Sequence, residues 1–192
     1  MKRFVFVLLF SFIFFNILVA QDATVKERAI QGIPDAQYDL GLMYMKGNGV
    51  VKDDKNAFFW FKKAANQGIA VAQNRLGYMY LNGIGVLKDD IKAIYWYEIA
   101  ANQGIAEAQT VLGFIYLYGE GDLKDDKKAF YWYEKAGNQG ISEAQYNLGI
   151  MYIWGVGTDK DMNKAKHWIE KAFHRGNYKA KGIWEKYELW KF

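Results

Sequence analysis

Residues 72–104 read AQNRLGYMYLNGIGVLKDDIKAIYWYEIAANQG, and the pattern in this stretch occurs four times in the chain. Written with its fixed positions, it is A-Q-x-x-L-G-x-x-Y-x-x-G-x-G, then K-D-x-x-x-A-x-x-W, then A-x-x-x-G. The first alanine shows the period of 36, since it recurs as Ala36, Ala72, Ala108, Ala144 and Ala180. Such a period is typical of solenoids built from stacked units. We divide the chain into four repeats, at 33–68, 69–104, 105–140 and 141–176.

Each repeat is predicted to form two helices. In the first helix of repeat one, Ala36, Leu40 and Tyr44 fall on one apolar stripe at helical spacing. The glycine pair that begins at Gly47 ends this helix, because glycine tolerates the left-handed conformation at a helix C-terminus. Asp53 starts the second helix as its N-cap. The buried stripe of that helix consists of Ala57, Trp60, Phe61 and Ala64.

The segments outside the four repeats fit the same pattern. Residues 21–32 match the end of a second helix and are predicted to form an N-terminal capping helix. Residues 177–192 match a first helix with Ala180 in register, and they are predicted to form a C-terminal capping helix. There Trp184 replaces the expected leucine, as is usual in an atypical terminal unit. The fold class is therefore all-α, an α-solenoid of antiparallel helix pairs held together by contacts between neighbouring repeats.

Residues 1–20 have the composition of a signal peptide. Lys2 and Arg3 precede an apolar run, and Ala20 ends it. A basic start, an apolar middle and a small final residue predict a secretory signal that is cleaved after Ala20. The alternative is a retained membrane anchor, for which this apolar run has the minimum length. Either way we expect an exported protein, periplasmic or secreted, with no membrane contact beyond this segment.

Composition excludes several classes of protein. The 192 residues are 52% hydrophobic, 18% aromatic and 24% charged, which excludes an intrinsically disordered chain. The chain contains no cysteine, so a disulfide framework, a thiolate metal site and a cysteine nucleophile are excluded. The net charge of +4 includes two basic residues of the predicted signal. The remaining charge is too small to indicate a nucleic-acid partner.

The repeated pattern resembles the signature of the Sel1-like repeat family, which is related to the tetratricopeptide repeat. The resemblance covers residues 22–192, although repeat four departs from it with Thr158 and His167. It implies a right-handed superhelix and a role as an adaptor in protein complexes, and many bacterial members are exported. Some cysteine-rich secreted members have been linked to β-lactam binding or hydrolysis. This chain lacks their cysteines and is a poor match to that subclass.

A search for catalytic or metal-binding residues favours structural roles. Ser142 is expected to start a helix, and His167 and His174 lie seven residues apart rather than at the four-residue spacing of helical metal ligands. The aspartate pairs such as Asp53 and Asp54 fit helix capping better than a calcium loop, which needs more oxygen ligands. We read Glu98, Glu134 and Glu170 as a solvated face. We predict no enzyme, no cofactor and no metal site.

The first helices carry apolar and aromatic residues that the repeat pattern does not require. In related helical repeats the first helix lines the concave face, so the resemblance implies that these residues bind a protein or peptide partner. The predicted residues are Tyr38, Leu42, Asn74, Tyr78, Phe114, Leu117, Tyr118, Tyr146, Ile150 and Trp154. The competing interpretation is that several of them pack between repeats.

Two other functions remain open at this stage. One is a hydrolase of β-lactam or cell-wall substrates, and the other is a binder of peptidoglycan or another carbohydrate, on which aromatic platforms stack. We expect a monomer whose partner the sequence does not identify.

Overall fold

A computed structural model describes residues 24–119 and 123–192, and every regular element in these ranges is helical. Residues 24–30 form α1. The helices that follow are α2 (Pro34–Lys46), α3 (Asp54–Asn66), α4 (Ala70–Asn82), α5 (Asp90–Asn102), α6 (Ala106–Tyr118), α7 (Asp126–Asn138), α8 (Ser142–Trp154), α9 (Met162–His174) and α10 (Tyr178–Lys186). A short 3-10 helix follows at Leu189–Lys191. The predicted all-α solenoid of helix pairs is confirmed.

The chain divides into two compact units, one ending at Trp96 and one beginning at Tyr97, so the boundary falls inside α5. In the N-terminal unit, α2 packs on α3 and α3 packs on α4, around a core that includes Phe61, Leu76 and Met79. In the C-terminal unit, each helix from α6 to α10 packs on the next one. Each unit is thus a row of helices in contact with their neighbours in sequence, which is the arrangement expected of stacked repeats.

Glycine in the middle of the first helices allows the second helix to approach closely. A Cβ atom added to Gly41 would lie 2.7 Å from the ring of Phe61, and one added to Gly113 would lie 2.7 Å from the ring of Tyr133. In repeat four the same addition at Gly149 would lie 2.5 Å from the side chain of Ile169. The L-G step of the pattern is therefore a packing requirement, because no larger residue fits at the glycine.

The glycine pairs form the turn between the two helices of a repeat. Gly83 has a φ angle of 66° at the C-cap of α4, as predicted for a left-handed helix end. The second glycine meets the preceding repeat: a Cβ atom at Gly85 would lie 2.1 Å from the carbonyl oxygen of Asp54. Repeat three departs from this arrangement, since Gly119 has a φ angle of −62°.

The aspartate of the K-D step in each repeat caps the second helix. Asp53 accepts hydrogen bonds from the backbone N–H groups of Lys55 and Asn56, at 2.9 and 3.0 Å. Asp89, Asp125 and Asp161 each accept one bond from the N–H three residues later. The predicted capping role is confirmed, and it accounts for the recurrence of aspartate at this position.

A buried glutamine connects consecutive helices in every repeat, and the sequence analysis missed it. The side chains of Gln37, Gln73, Gln109 and Gln145 donate to the carbonyl oxygen eight residues earlier, at 2.9–3.2 Å. A second glutamine amide then donates to the oxygen of the first: Gln139 Nε2 lies 2.8 Å from Gln109 Oε1. Arg175 stands at this second position in repeat four, and Gln145 Oε1 is buried without a partner.

Each predicted capping segment contains a helix. Residues 24–30 lie within the predicted N-terminal cap of 21–32, and α10 lies within the predicted C-terminal cap of 177–192. No helix within 24–119 and 123–192 is long and apolar enough to cross a membrane. The predicted signal peptide at 1–20 lies outside the described residues.

Candidate functional site

The exposure of four aromatic residues on the first helices shows whether the predicted binding face is accessible. Tyr78 is 43% exposed, Phe114 55%, Tyr118 62% and Trp154 56%. Tyr78 belongs to the N-terminal unit, and the other three belong to the C-terminal unit. All four therefore offer surface to a partner, and large exposed rings of this kind are characteristic of binding sites.

A groove of about 590 Å³ lies on the first-helix face of the C-terminal unit. We call it the aromatic groove. Helix α6 contributes Phe114 and Tyr118, whose ring centroids lie 4.9 Å apart. The N-terminal halves of α8 and α10 supply the remaining walls, with Tyr146 and Tyr178 as their aromatic side chains. Three consecutive first helices thus place aromatic rings around one cavity.

Local sequence positions the start of α10 beside the start of α8. Gly176 adopts a φ angle of 84° and turns the chain after α9. Asn177 then caps α10, with its side-chain oxygen accepting from Lys179 N at 3.1 Å. The Asn177 amide nitrogen donates to the carbonyl oxygen of Ser142 at 3.3 Å, which ties the two helix starts together. One residue therefore shapes the groove by making both bonds.

The two asparagine amides of the aromatic groove are engaged in hydrogen bonds within the protein. Besides the Asn177 amide, the amide nitrogen of Asn147 donates to the carbonyl oxygen of Glu143 at 3.0 Å. The charged side chains in the wall are Glu143 and Lys179, whose formal charges cancel. Within the part of the chain that the structure describes, the hydroxyl groups of Tyr118, Tyr146 and Tyr178 make no hydrogen bond. These hydroxyls are therefore available to a ligand.

The structure separates the predicted binding residues into several groups. Phe114, Tyr118 and Tyr146 meet in the aromatic groove, whereas Trp154 lies at the far end of α8, with its ring 6.0 Å from that of Tyr187. The half-buried predicted residues outside the groove are Tyr38, Leu42, Leu117 and Ile150.

Two of the predicted residues in the N-terminal unit pack inward. Tyr38 and Leu42 pack against the N-terminal core, where the ring of Tyr38 lies 5.6 Å from that of Phe61. Asn74 is only 4% exposed. It stands in the register of Tyr38 and Tyr146, but its side chain is shorter than theirs and offers a partner almost no surface.

Sequence analysis missed the part of the groove that comes from the last helix. Tyr178 is strongly exposed and lines the groove together with Asn177 and Lys179. The available signal was Ala180, whose register places α10 as a further first helix beside α8. A smaller cavity of about 340 Å³ between α9 and α10, lined by Phe173 and Trp184 among others, was also not foreseen.

The candidate catalytic residues occupy structural positions. Ser142 is the first residue of α8, as predicted, and His167 makes an edge-on ring contact with Trp168, with centroids 5.5 Å apart. The described residues contain no group of three His, Cys, Asp or Glu side chains that could hold a metal ion.

The reading of Glu98 as a solvated side chain was wrong. Its carboxylate accepts a hydrogen bond from the Tyr116 hydroxyl at 2.7 Å. Burial raises the pKa of Tyr116, and the bond to Glu98 raises it further. Glu98 is therefore part of the packing between the helices α5 and α6, because Tyr116 needs an acceptor for its hydroxyl group.

Comparison with known protein families finds four consecutive repeats of one family in this chain. The family model for the Sel1 repeat matches residues 34–69, 70–105, 106–141 and 142–177, one residue later than our repeat boundaries. No curated protein matches the chain at a significant level.

Three solved structures illustrate the similarity. A protective antigen present in uropathogenic Escherichia coli strains, which displays an SLR fold, is 34% identical with a TM-score of 0.82, over 84% of this chain and 35% of that one. A Sel1 repeat protein from Oxalobacter formigenes is 38% identical with a TM-score of 0.79, over 88% of this chain and 49% of that one. Cysteine rich protein B from Helicobacter pylori is 25% identical with a TM-score of 0.54, over 69% of this chain and 95% of that one. The chain thus spans less than half the length of the first two.

Proposed function

The chain belongs to the Sel1 repeat family, whose members generally mediate protein–protein interactions, and we propose that this protein is an exported, non-catalytic scaffold that binds a protein or peptide segment in the aromatic groove. The family relationship supports the general class of function. The export, the site and the absence of catalysis are the parts that we propose.

The observation that carries the proposal is the exposure of aromatic rings from three helices around one cavity. Phe114 and Tyr118 are more than half exposed and lie side by side on α6. Tyrosine and other large rings contribute most of the energy of typical interfaces, because they bury much area and lose little conformational entropy. A segment that covered these two rings would remove a contiguous apolar surface from water.

The non-catalytic part of the proposal rests on the residues around the groove. Ser142 is the one serine or cysteine in the wall, and the chain has only two histidines, His167 and His174, neither of which lines the groove. A serine nucleophile needs an adjacent base to become reactive. Sel1-repeat scaffolds are also typically non-catalytic.

Affinity capture with paired variants tests the proposed site. The purified protein is compared with a Phe114→Ala/Tyr118→Ala variant and with a Tyr131→Ala control, which removes a similarly exposed ring from the second helix α7. Circular dichroism must first show that both variants keep the helical content of the parent. We expect a captured protein to be lost by the groove variant and retained by the control.

Two results would contradict the proposal. If the groove variant captures the same protein as the parent, binding lies elsewhere, for example in the cavity lined by Phe173 and Trp184. If catalytic turnover of a chromogenic β-lactam by the parent exceeds that of a heat-treated sample, the non-catalytic assignment fails.

Export is tested separately. Cell fractionation followed by N-terminal sequencing should find the protein outside the cytoplasm with residues 1–20 removed. A protein that keeps these residues and sediments with membranes would instead have the retained anchor that the sequence left open.

A further inference from the structure

The cavity between α9 and α10 lies where the repeat pattern would place a tryptophan ring. We propose that it is a second binding site, separate from the aromatic groove, and that it takes a tryptophan side chain from a partner protein segment in which a basic residue stands beside that tryptophan. The cavity has a volume of about 340 Å³, and Phe173 and Trp184 supply its apolar walls.

Inside the solenoid, the second helices place tryptophan over the junction between the preceding second helix and the first helix of the same repeat. Trp60 packs against the cluster that contains Ala29 and Leu40. Trp96 packs against the corresponding cluster one repeat later, which contains Ala65. The chain itself thus shows, at successive repeats, that an indole ring covers a junction of this kind.

Repeat four shows the distances at one such junction. A Cβ atom added to Gly137 at the end of α7 would lie 3.3 Å from the ring of Trp168 and 2.8 Å from the side chain of Leu148 on α8. Trp168 is only 8% exposed. Its ring therefore fills the space beside the end of α7 and the middle of α8.

The cavity wall lies one period further along the chain. Phe173 stands 36 residues after Gly137, and Trp184 stands 36 residues after Leu148. Within the described residues, α10 is followed by a 3-10 helix rather than by a second helix. The cavity is therefore the position of Trp168 repeated at the junction of α9 and α10, and no second helix of the described chain covers it.

Glu185 prevents a whole repeat helix from docking against α10. It stands one period after Gly149, where an added Cβ atom would lie 2.5 Å from the side chain of Ile169 on the second helix. A second helix that approached α10 in the same way would meet the Glu185 side chain. The cavity therefore suits a single ring from a segment that does not lie across α10 as a repeat helix does.

The charges around the cavity indicate which residue accompanies that ring. Lys181 pairs with Glu185, since its Nζ lies 3.9 Å from the carboxylate oxygen. Glu170 also lines the cavity, and it makes no ion pair or hydrogen bond with any residue that the structure describes. This available carboxylate favours a lysine or arginine beside the tryptophan. The chain contains the same combination, because Lys171 Nζ lies 4.9 Å from the ring centroid of Trp168.

An NMR titration of the purified protein tests the site. The probe is a short peptide with one tryptophan between two lysines, and it is compared with the same peptide carrying alanine in place of tryptophan. We expect the tryptophan peptide to shift the backbone amide signals of α9 and α10 around the cavity. We also expect it to bind at least about fivefold more tightly than the alanine peptide, as is usual for an aromatic anchor.

Two matched substitutions locate the binding. Phe173→Gln makes one cavity wall polar, whereas Phe59→Gln changes a ring outside the cavity that is 48% exposed, against 49% for Phe173. Circular dichroism must first show that both variants keep the helical content of the parent. We expect Phe173→Gln to weaken the binding of the tryptophan peptide at least about fivefold, and Phe59→Gln to bind it as the parent does.

Charge reversal tests the role of Glu170. Glu170→Lys should weaken the binding of the lysine-flanked peptide about threefold and strengthen that of a glutamate-flanked peptide by a similar factor, because an exposed ion pair contributes modestly. Equal affinities of the parent for the two flanked peptides would overturn the basic neighbour.

Three results would overturn the site itself. The first is a tryptophan peptide that shifts no cavity signal or binds no more tightly than the alanine peptide. The second is a set of shifts confined to the aromatic groove, which would leave the proposed function in place. The third is a set of cavity signals that move with protein concentration alone and stop moving in a Trp190→Ala variant, since the exposed Trp190 of a second copy would then be the occupant.

Discussion

Replacing Arg175 by glutamine should stabilise the protein. In repeats one and three, the amide of Gln67 or Gln139 donates to a buried glutamine oxygen, at 2.7 and 2.8 Å. In repeat four the donor position holds Arg175, whose guanidinium carbon lies 2.6 Å from where a Cβ atom of Gly140 would stand. The guanidinium thus covers Gly140 while Gln145 Oε1 stays buried without a partner.

The expected gain follows from the burial of that oxygen. Gln145 is only 2% exposed, so water does not replace the missing donor. A buried unsatisfied acceptor costs about 1–3 kcal/mol, and a typical new hydrogen bond contributes about 0.5–1.5 kcal/mol net. Arg175→Gln also loses the contact of the guanidinium with Gly140, but Arg175 is an exposed residue, so this loss is small. We therefore expect the free energy of unfolding to rise by about 1 kcal/mol.

Urea unfolding followed by far-ultraviolet circular dichroism measures this gain, provided that the slope m is unchanged. Arg175→Ala is the matched control, because it removes the arginine without supplying an amide. A second control places Gln145→Met in both backgrounds, which removes the acceptor, so the advantage of glutamine over alanine should disappear. Equal stabilities of Arg175→Gln and Arg175→Ala would refute the reasoning, as would an advantage that survives the loss of Gln145.

Three further predictions concern stability. Gly157→Ala should lower the free energy of unfolding by more than about 2 kcal/mol in urea, because the new Cβ would lie 2.1 Å from the carbonyl oxygen of Asp126. Gly176→Ala is the control: its φ angle is also positive but the space around it is open, so it should lower that free energy by only about 1 kcal/mol. The backbone hydrogen bond from Asn56 lowers the pKa of Asp53, so this carboxylate stabilises the fold above its unfolded-state pKa and the contribution is lost as the pH falls through the lowered value. Asp53→Asn, which keeps a capping oxygen, should flatten the dependence of Tm on pH below about 4, and an unchanged slope would contradict this. Burial raises the pKa of Tyr133, so stability should fall as the pH rises above the ordinary tyrosine value of about 10, and Tyr133→Phe should reduce that fall in alkaline unfolding curves.

The helices and their order could be predicted because the determining signals are local. The spacing of Ala36, Leu40 and Tyr44 indicates a helix on its own, Gly47 ends it, and Asp53 caps the next one. Repetition of these signals every 36 residues then indicates stacking, since no single helix pair can bury its apolar stripe alone. The family resemblance came from the same local pattern.

The exposure of the proposed binding residues could be predicted only in part. The repeat pattern does not require Phe114 and Tyr118, which made them candidates for binding, and the structure leaves both exposed. Asn74, in the register of the half-buried Tyr38 and Tyr146, is buried, because exposure depends on the length of a side chain and of its neighbours. No local pattern indicates such a difference.

Sequence alone therefore determined the fold class, the repeat register, the helix ends and the face that carries free aromatic residues, because each depends on residues within a few positions of one another. Only the tertiary structure decided which side chains meet across a repeat. Asn177 hydrogen-bonds to Ser142, 35 positions earlier, and so shapes one wall of the aromatic groove. Gln145 Oε1 has no partner because position 175 holds arginine where the other repeats hold glutamine. Such contacts are set by how neighbouring helices pack, and packing distances of an ångström decide whether a cavity, a hydrogen bond or an empty acceptor results.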